Sequence, residues 1–177
     1  MGNLLSSYAK TANICRWVKI SIRWREKYGE FVRADISRIT KVGSLCYWND
    51  ADFCIAKGID GSDIFLGLRT DGTEVAIKRI SKLNNYQCLK NEEDILRLPG
   101  LDYPCITRYI EFVEDDQFGY LCVQLFEHTL DEYIRDCTEY QLCKIVHSIL
   151  KSLEVLHDQG IFHWDLKPQN FWIGKTS

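Results

Sequence analysis

The sequence predicts an α+β protein in which a small antiparallel sheet lobe, carrying one helix, precedes a lobe that begins with helices. Three observations support this class. Short apolar runs of strand length come first, one helical pattern interrupts them, and two more helical patterns follow. Strands first and helices later is the order of α+β proteins, whereas α/β proteins alternate the two.

The predicted strands are short apolar runs bounded by glycine or acidic turns. They cover residues 53–57, 64–68, 73–80, 106–112 and 119–125. Asp71-Gly72 is a turn dipeptide before the third run, and an acidic turn at 114–117 joins the last two runs into a hairpin.

Three segments have the apolar spacing of helices. The first covers residues 85–98. Thr129 opens the second, and Glu132 three positions later completes a capping box, in which a hydroxyl and a carboxylate bond free backbone N–H groups. The third covers about 139–158, and Gly160 is placed to end it.

The first 40 residues differ in charge from the rest of the chain. They hold eight Lys and Arg against three Asp and Glu, whereas residues 41–177 hold fourteen against twenty-two. We therefore predict a basic N-terminal extension at 1–40 and a partial folded domain at 41–177. Within that domain the sheet lobe covers about 53–125, and the helical lobe begins over about 126–177.

The residues before the predicted sheet lobe give weaker signals of secondary structure. Residues 18–25 alternate apolar and polar side chains, which indicates a strand or an extended interfacial segment. Residues 34–52 show no clear period.

Composition excludes several classes of protein. A chain that is 46% apolar and 27% charged is typical of a folded globular protein. Its eight cysteines form no C-x-x-C pair and lie partly inside apolar runs, which favours reduced core residues over disulfides or zinc ligands. The N-terminus lacks the apolar stretch of a secretory signal.

Two features of the sheet region point to phosphate binding. Gly58 and Gly61 lie between strands, where the absence of side chains lets backbone N–H groups approach phosphates; a plain hairpin is the alternative. Lys78 ends an apolar strand, and Glu92 follows on a helix. A strand lysine can bridge two phosphates if a helix carboxylate holds it; the alternative is an ordinary lysine and a solvated glutamate.

The string from His163 to Asn170 carries the chemistry of phosphoryl transfer. Asp165 can accept a hydroxyl proton, Lys167 can steady a transferred phosphate, and Asn170 can hold a metal ion.

This string reads H-W-D-L-K-P-Q-N and resembles the catalytic loop of eukaryotic protein kinases of the Ser/Thr class. The resemblance covers residues 53–177. Further strings resemble the kinase domains of the endoplasmic-reticulum unfolded-protein sensor kinase/ribonuclease and the oligoadenylate-activated ribonuclease: V-A-I-K-R-I at 75–80, D-Q-F-G-Y at 116–120 and T-L-D-E-Y at 129–133. The resemblance implies a protein-kinase-like fold with an incomplete helical lobe.

The resemblance implies ATP and Mg²⁺ as cofactors and assigns a role to each candidate residue. Asp165 and Lys167 are the catalytic residues, and Asn170 is the metal ligand. Val123 guards the back of the adenine pocket, and a hinge at 124–126 meets adenine. The implied nucleotide-binding residues are Gly58, Gly61, Ala76, Lys78, Glu92, Val123, Gln124 and Phe126.

Several positions depart from the family pattern. Ala56 replaces the first glycine of the phosphate loop, and Trp164 replaces the arginine of the catalytic loop. Asp63 takes the place of the apolar residue above adenine, and Trp172 that of the leucine below it. By family spacing the metal-binding Asp lies beyond Ser177. We therefore expect a truncated kinase domain with weak or no ATP binding and no phosphoryl transfer.

The sequence leaves two function classes open. The chain is either a Ser/Thr protein kinase domain, inactive as it stands, or a pseudokinase-like module that pairs with other proteins or with a longer kinase relative. Basic and aromatic residues within 10–33 give only weak support to a nucleic-acid partner.

The first residues fit an N-myristoylation pattern, with Gly2 and Ser6. One acyl chain holds a membrane only marginally, and the basic residues within 1–33 supply a second attraction to anionic lipid. We expect a cytoplasmic protein attached peripherally to a membrane through Gly2.

Overall fold

The computed structural model describes residues 17–174 and confirms the predicted α+β class. Its strands are β1 (Ile39–Val42), β2 (Leu45–Trp48), β3 (Cys54–Lys57), β4 (Asp63–Arg69), β5 (Glu74–Ser81), β6 (Tyr109–Glu114), β7 (Phe118–Gln124), β8 (His128–Thr129) and β9 (Trp172–Ile173). Its α-helices are α1 (Arg25–Arg33), α2 (Tyr86–Leu96), α3 (Leu130–Tyr133) and α4 (Glu139–Asp158).

Seven strands form one antiparallel sheet in the order β1-β2-β4-β5-β7-β6, and β3 pairs with β4 beyond the end of β2. Strand β5 is central, since β4 pairs with it on one side and β7 on the other. A central strand is bonded on both edges, so its side chains are held in fixed register. Lys78 lies on this strand.

Two helices cover the sheet. Helix α1 packs the buried rings of Tyr28 and Phe31 into a cluster with Leu66 and Leu68 of β4. Helix α2 packs Leu89 into a second cluster with strands β5 and β7. Burying such apolar side chains removes them from water, which is the main stabilising term of the lobe.

The elements predicted from residue 53 onward are present at nearly the predicted bounds. The capping box forms: the Thr129 hydroxyl accepts a hydrogen bond from the Glu132 N–H at 3.3 Å, and Glu132 Oε2 accepts one from the Thr129 N–H at 3.0 Å. Gly160 follows the end of α4 with a φ of 71°, a left-handed conformation that glycine adopts without strain.

Of the two alternatives predicted for residues 18–25, a strand or an extended interfacial segment, the strand is wrong. In the structure Trp24 caps the start of helix α1, and the residues before it bend. The backbone N–H groups of residues 20–23 bond to carboxylates instead of to a neighbouring strand. Glu74 accepts hydrogen bonds from Ile20 and Ser21, and Glu127 accepts them from the next two residues.

The sheet begins at Ile39, upstream of the predicted lobe at about 53–125. Strands β1 and β2 fall in the region that shows no clear sequence period. For β2 the reason is burial on both faces: Leu45, Cys46 and Tyr47 are consecutive and all are at most 2% exposed. A strand buried on both sides has no alternation of apolar and polar residues.

Glu74 joins the segment before helix α1 to the central strand. This carboxylate is 5% exposed and accepts three hydrogen bonds, from the Trp17 indole N–H at 2.8 Å, the Ile20 N–H at 3.3 Å and the Ser21 N–H at 2.7 Å. Buried donors that lose their acceptor retain the full cost of their desolvation.

We expect the Glu74→Ala substitution to lower the free energy of unfolding by about 3 kcal/mol, because it leaves these three donors without an acceptor. Urea denaturation followed by circular dichroism measures the change. The exposed Glu30, on helix α1, provides the control: Glu30→Ala should change stability by less than about 0.5 kcal/mol. Equal stabilities for the two variants would show that Glu74 does not anchor the segment.

Candidate active site

The candidate site is a cleft between the sheet and the loop that carries Asp165. The cavity measures about 800 Å³. Strands β3, β4, β5 and β7 line one side, and the segment from His163 to Trp172 lines the other. Among the lining residues are Gly58, Ala76, Lys78, Glu92, Val123, Gln124, Phe126, Asp165, Lys167 and Asn170. The structure thus brings together these ten of the eleven candidate residues; Gly61 lies three residues after Gly58 in the loop at the rim.

Strand β5 presents Ala76 and Lys78 to the cleft, because side chains two positions apart point to the same face of a strand. The Lys78 ammonium lies 2.7 Å from Glu92 Oε2 and 3.0 Å from Asp60 Oδ2. Burial favours the neutral amine, but the two carboxylates outweigh it and hold the pKa of Lys78 above its ordinary value. Lys78 is therefore a fixed positive charge in the cleft.

The loop between β3 and β4 is folded on itself. Its backbone bonds run from the Gly58 N–H to the Ser62 carbonyl at 2.8 Å and from the Gly61 N–H to the Gly58 carbonyl at 3.2 Å. Gly61 has a φ of 81°. A Cβ atom at position 58 would collide with the side-chain oxygens of Asp60 and Ser62, so glycine there leaves room for the hydrogen bond between them.

The expectation that Asp63 roofs the adenine pocket is wrong. Asp63 lies opposite Arg79 in the ladder between β4 and β5, and its carboxylate pairs with the Arg79 guanidinium at 2.9 Å. Ile64 lies opposite Lys78 and lines the cleft in its place. The residue of β4 that faces the cleft thus comes one position later than the family spacing predicts. Because successive side chains of a strand point to opposite faces, this shift of one residue turns Asp63 away from the cleft.

Asp165 is exposed and held by two neighbours in its own loop. Lys167 Nζ lies 2.8 Å from Asp165 Oδ2, and the Asn170 amide donates hydrogen bonds to the same oxygen at 2.8 Å and to the Asp165 carbonyl at 2.9 Å. The Lys167 contact, followed by the Asn170 contact, holds the pKa of Asp165 below its ordinary value. An ionised carboxylate in this position can accept a proton.

Trp164 takes no part in this cluster. It is 89% exposed and has a φ of 60°, which is uncommon for a residue other than glycine. Its ring is 6.0 Å from that of Phe162, so the position predicted to depart from the family pattern forms an exposed aromatic surface.

The hinge side of the cleft contains two aromatic side chains. Phe126 and Trp172 face each other with ring centroids 6.5 Å apart and planes at 29°. Both line the cleft, so Trp172 narrows the space opposite Ala76 and Ile64. The Trp24 indole N–H donates a hydrogen bond of 3.0 Å to the Phe126 carbonyl. Nothing in the spacing of the sequence points to Trp24.

The donors in the cleft fit a nucleotide better than a resident metal ion. Apolar side chains surround the hinge end, and a cationic group lies farther along. For Mg²⁺, the catalytic loop offers the Asn170 amide oxygen, and within residues 17–174 no group of three His, Cys, Asp or Glu side chains could hold a metal ion. Mg²⁺ in proteins is usually held by one or two carboxylates together with substrate phosphates. A protein-only Mg²⁺ site does not fit these residues.

Comparison with known families gives a match over the region of the cleft. The sequence model of the protein kinase domain matches residues 57–177.

Similar proteins share this region at modest identity. The chain is 29% identical over 168 residues to the probable serine/threonine-protein kinase irlD of Dictyostelium discoideum, which covers 81% of this chain and 11% of the relative. It is 31% identical over 141 residues to the serine/threonine-protein kinase/endoribonuclease ire-1 of Caenorhabditis elegans, covering 77% and 14% respectively. The chain therefore spans only a small part of the length of these relatives.

Proposed function

This chain belongs to the protein kinase family, and on that basis we propose that it supplies the ATP-binding cleft and catalytic loop of a Ser/Thr protein kinase. One observation carries the proposal: the pair of Lys78 and Glu92 and the loop from Asp165 to Asn170 line the same cleft.

Each end of the cleft suits a different part of ATP. The purine base would lie beside the hinge, between the aliphatic side chains of Ala76 and Ile64 and the ring of Trp172. The phosphates would extend toward the Lys78 ammonium. Asp165 would accept the proton of a substrate hydroxyl, and Lys167 would place a positive charge beside the transferred phosphate.

We propose that nucleotide binding is weak. Asp63 does not oppose the base, but Trp172 occupies space that a smaller side chain would leave open. We expect a dissociation constant for ADP above about 0.1 mM, which corresponds to roughly −5.5 kcal/mol or weaker.

Isothermal titration with ADP tests the proposed function. Lys78→Ala should weaken ADP binding about tenfold or more, because the phosphates lose their cationic partner, and should leave adenosine binding nearly unchanged. Lys151→Ala, on helix α4 and away from the cleft, is the matched charge control. If ADP binds equally well to the Lys78 and Lys151 variants, or neither ligand binds the wild type, the cleft is not a nucleotide site.

A pseudokinase-like binding module is the second candidate. The exposed Trp164 favours it, since a large aromatic side chain at a catalytic loop suits a protein contact better than phosphate chemistry. Such a module would act through its surface on another protein or on a longer kinase relative.

A phosphoryl-transfer assay tests whether this chain is active by itself. We expect the 177-residue chain, supplied with radiolabelled ATP and Mg²⁺ or Mn²⁺, to give no more signal than a Lys78→Ala, Asp165→Ala double variant, because within residues 17–174 no group of three His, Cys, Asp or Glu side chains could hold the metal ion. Incorporation above that control, into the chain itself or a generic protein substrate, would identify this chain as an active enzyme.

We also propose peripheral attachment to a membrane on the cytoplasmic side. Gly2 lies outside the described residues. Val18, Ile20 and Ile22 are each about half exposed or more, beside the exposed Lys19 and Arg25, and such a surface suits an anionic bilayer. The indole N–H groups of Trp17 and Trp24 donate hydrogen bonds inside the protein. No helix within residues 17–174 is long and apolar enough to cross a membrane.

Cell fractionation of the wild type beside Gly2→Ala tests this attachment. We expect the variant to move to the soluble fraction, because basic residues alone hold a membrane weakly. Mass spectrometry of the N-terminus provides the second readout. An unacylated terminus, with both proteins distributed alike, would contradict the proposal.

A further inference from the structure

Two carboxylates lie beside the Lys78 ammonium, although one is enough to neutralise its charge. Glu92 of helix α2 lies 2.7 Å away and by itself makes a neutral pair with the lysine. Asp60 Oδ2, from the loop between β3 and β4, lies 3.0 Å from the same ammonium. These three side chains together carry one net negative charge in a cleft proposed to receive phosphates.

Hydrogen bonds from Ser62 hold the Asp60 side chain in this position. Its other oxygen, Oδ1, accepts hydrogen bonds from the Ser62 N–H at 3.1 Å and the Ser62 hydroxyl at 2.6 Å. Asp60 is about as buried as Lys78, with side-chain exposures of 24% and 20%. Partial burial favours the protonated acid, but the bonds from Ser62 and Lys78 outweigh it and hold the pKa of Asp60 below its ordinary value. The carboxylate is therefore ionised at neutral pH.

A phosphate group would need the position beside the Lys78 ammonium that the Asp60 carboxylate now occupies. An ammonium has three hydrogen-bond donors, and Glu92 and Asp60 occupy two of them. The N–H groups of Gly58 and Gly61 bond to carbonyls inside the loop, and that of Ser62 bonds to Asp60. These three N–H groups are thus bonded within the loop, and the loop presents a carboxylate to the lysine.

We infer that Asp60 stands in for a phosphate on Lys78 and sets the affinity of the cleft for phosphorylated nucleotides. A ligand with phosphates binds after the Asp60 carboxylate has left the ammonium, whereas a nucleoside without phosphates binds with the Asp60–Lys78 pair intact. Asp60 therefore determines specificity, and this inference rests on the proposed nucleotide-binding function.

Two asparagine variants separate this role from a general effect of charge. Asp60→Asn keeps the size of the side chain and an oxygen that can accept the Ser62 bonds, but it removes the charge that competes with phosphate. Asp63→Asn removes the same charge three residues later, on the opposite face of β4, where the side chain pairs with Arg79. Both variants have the same net charge.

Isothermal titrations with adenosine and with ADP, in buffer containing EDTA so that no metal ion bridges carboxylate and phosphate, decide the question. Asp60→Asn should bind ADP about tenfold more tightly than the wild type, a change worth about 1.4 kcal/mol, and adenosine within about twofold. Asp63→Asn should bind both ligands as the wild type does.

The outcomes distinguish failure of this inference from failure of the proposed function. Adenosine bound by all three proteins, with ADP affinity unchanged or reduced in Asp60→Asn, overturns the role of Asp60 and leaves the nucleotide site standing. Equal strengthening of ADP binding in both variants also overturns it, since net charge alone would then explain the effect. If no protein binds either ligand, the proposed function fails and this inference with it.

Discussion

The need to neutralise one partly buried ammonium organises the cleft. Lys78 belongs to the central strand of the sheet, whose register with both neighbours fixes where its side chain enters. An unpaired ammonium that is partly removed from water would cost free energy, so carboxylates must lie close to it. Glu92 fixes helix α2 against the strand, and Asp60 draws the loop between β3 and β4 down onto the lysine.

A second set of carboxylates holds the hinge from outside the cleft. Glu74 on β5 and Glu127 after the hinge accept the backbone N–H groups of residues 20–23, while Arg23 reaches Glu132 at 2.7 Å. The Arg23 bond, with the Thr129 N–H, lowers the pKa of Glu132 to about 2. This segment therefore ties the sheet to the first helix after the hinge. It precedes the region that the kinase family model matches, which starts at residue 57.

Local patterns in the sequence predict most of the elements, and they fail where tertiary contacts replace them. Strands with turn residues at their ends and helices with capping residues are predictable because each signal is local. Residues 18–25 alternate apolar and polar side chains as a strand does. The N–H groups of residues 20–23, however, donate hydrogen bonds to carboxylates that are distant in sequence. Strand β2 is buried on both faces and leaves no alternation to recognise.

The candidate site shows the same division. The charged residues of the catalytic loop, with Lys78 and Glu92, can be read from spacing, and all line one cleft. Spacing places Asp63 on the wrong face of β4, because a single residue in the turn decides which side chain points inward. The contact of Asp60 with Lys78 depends on how the loop folds, and no motif records it.

A crystal structure of this chain with ADP would test the account of Lys78 most directly. We predict that the phosphates contact Lys78 Nζ, that Glu92 remains paired with it, and that the Asp60 carboxylate has moved out of hydrogen-bonding range. ADP bound in the cleft with Asp60 still on Lys78 and the phosphates directed to other groups would contradict it.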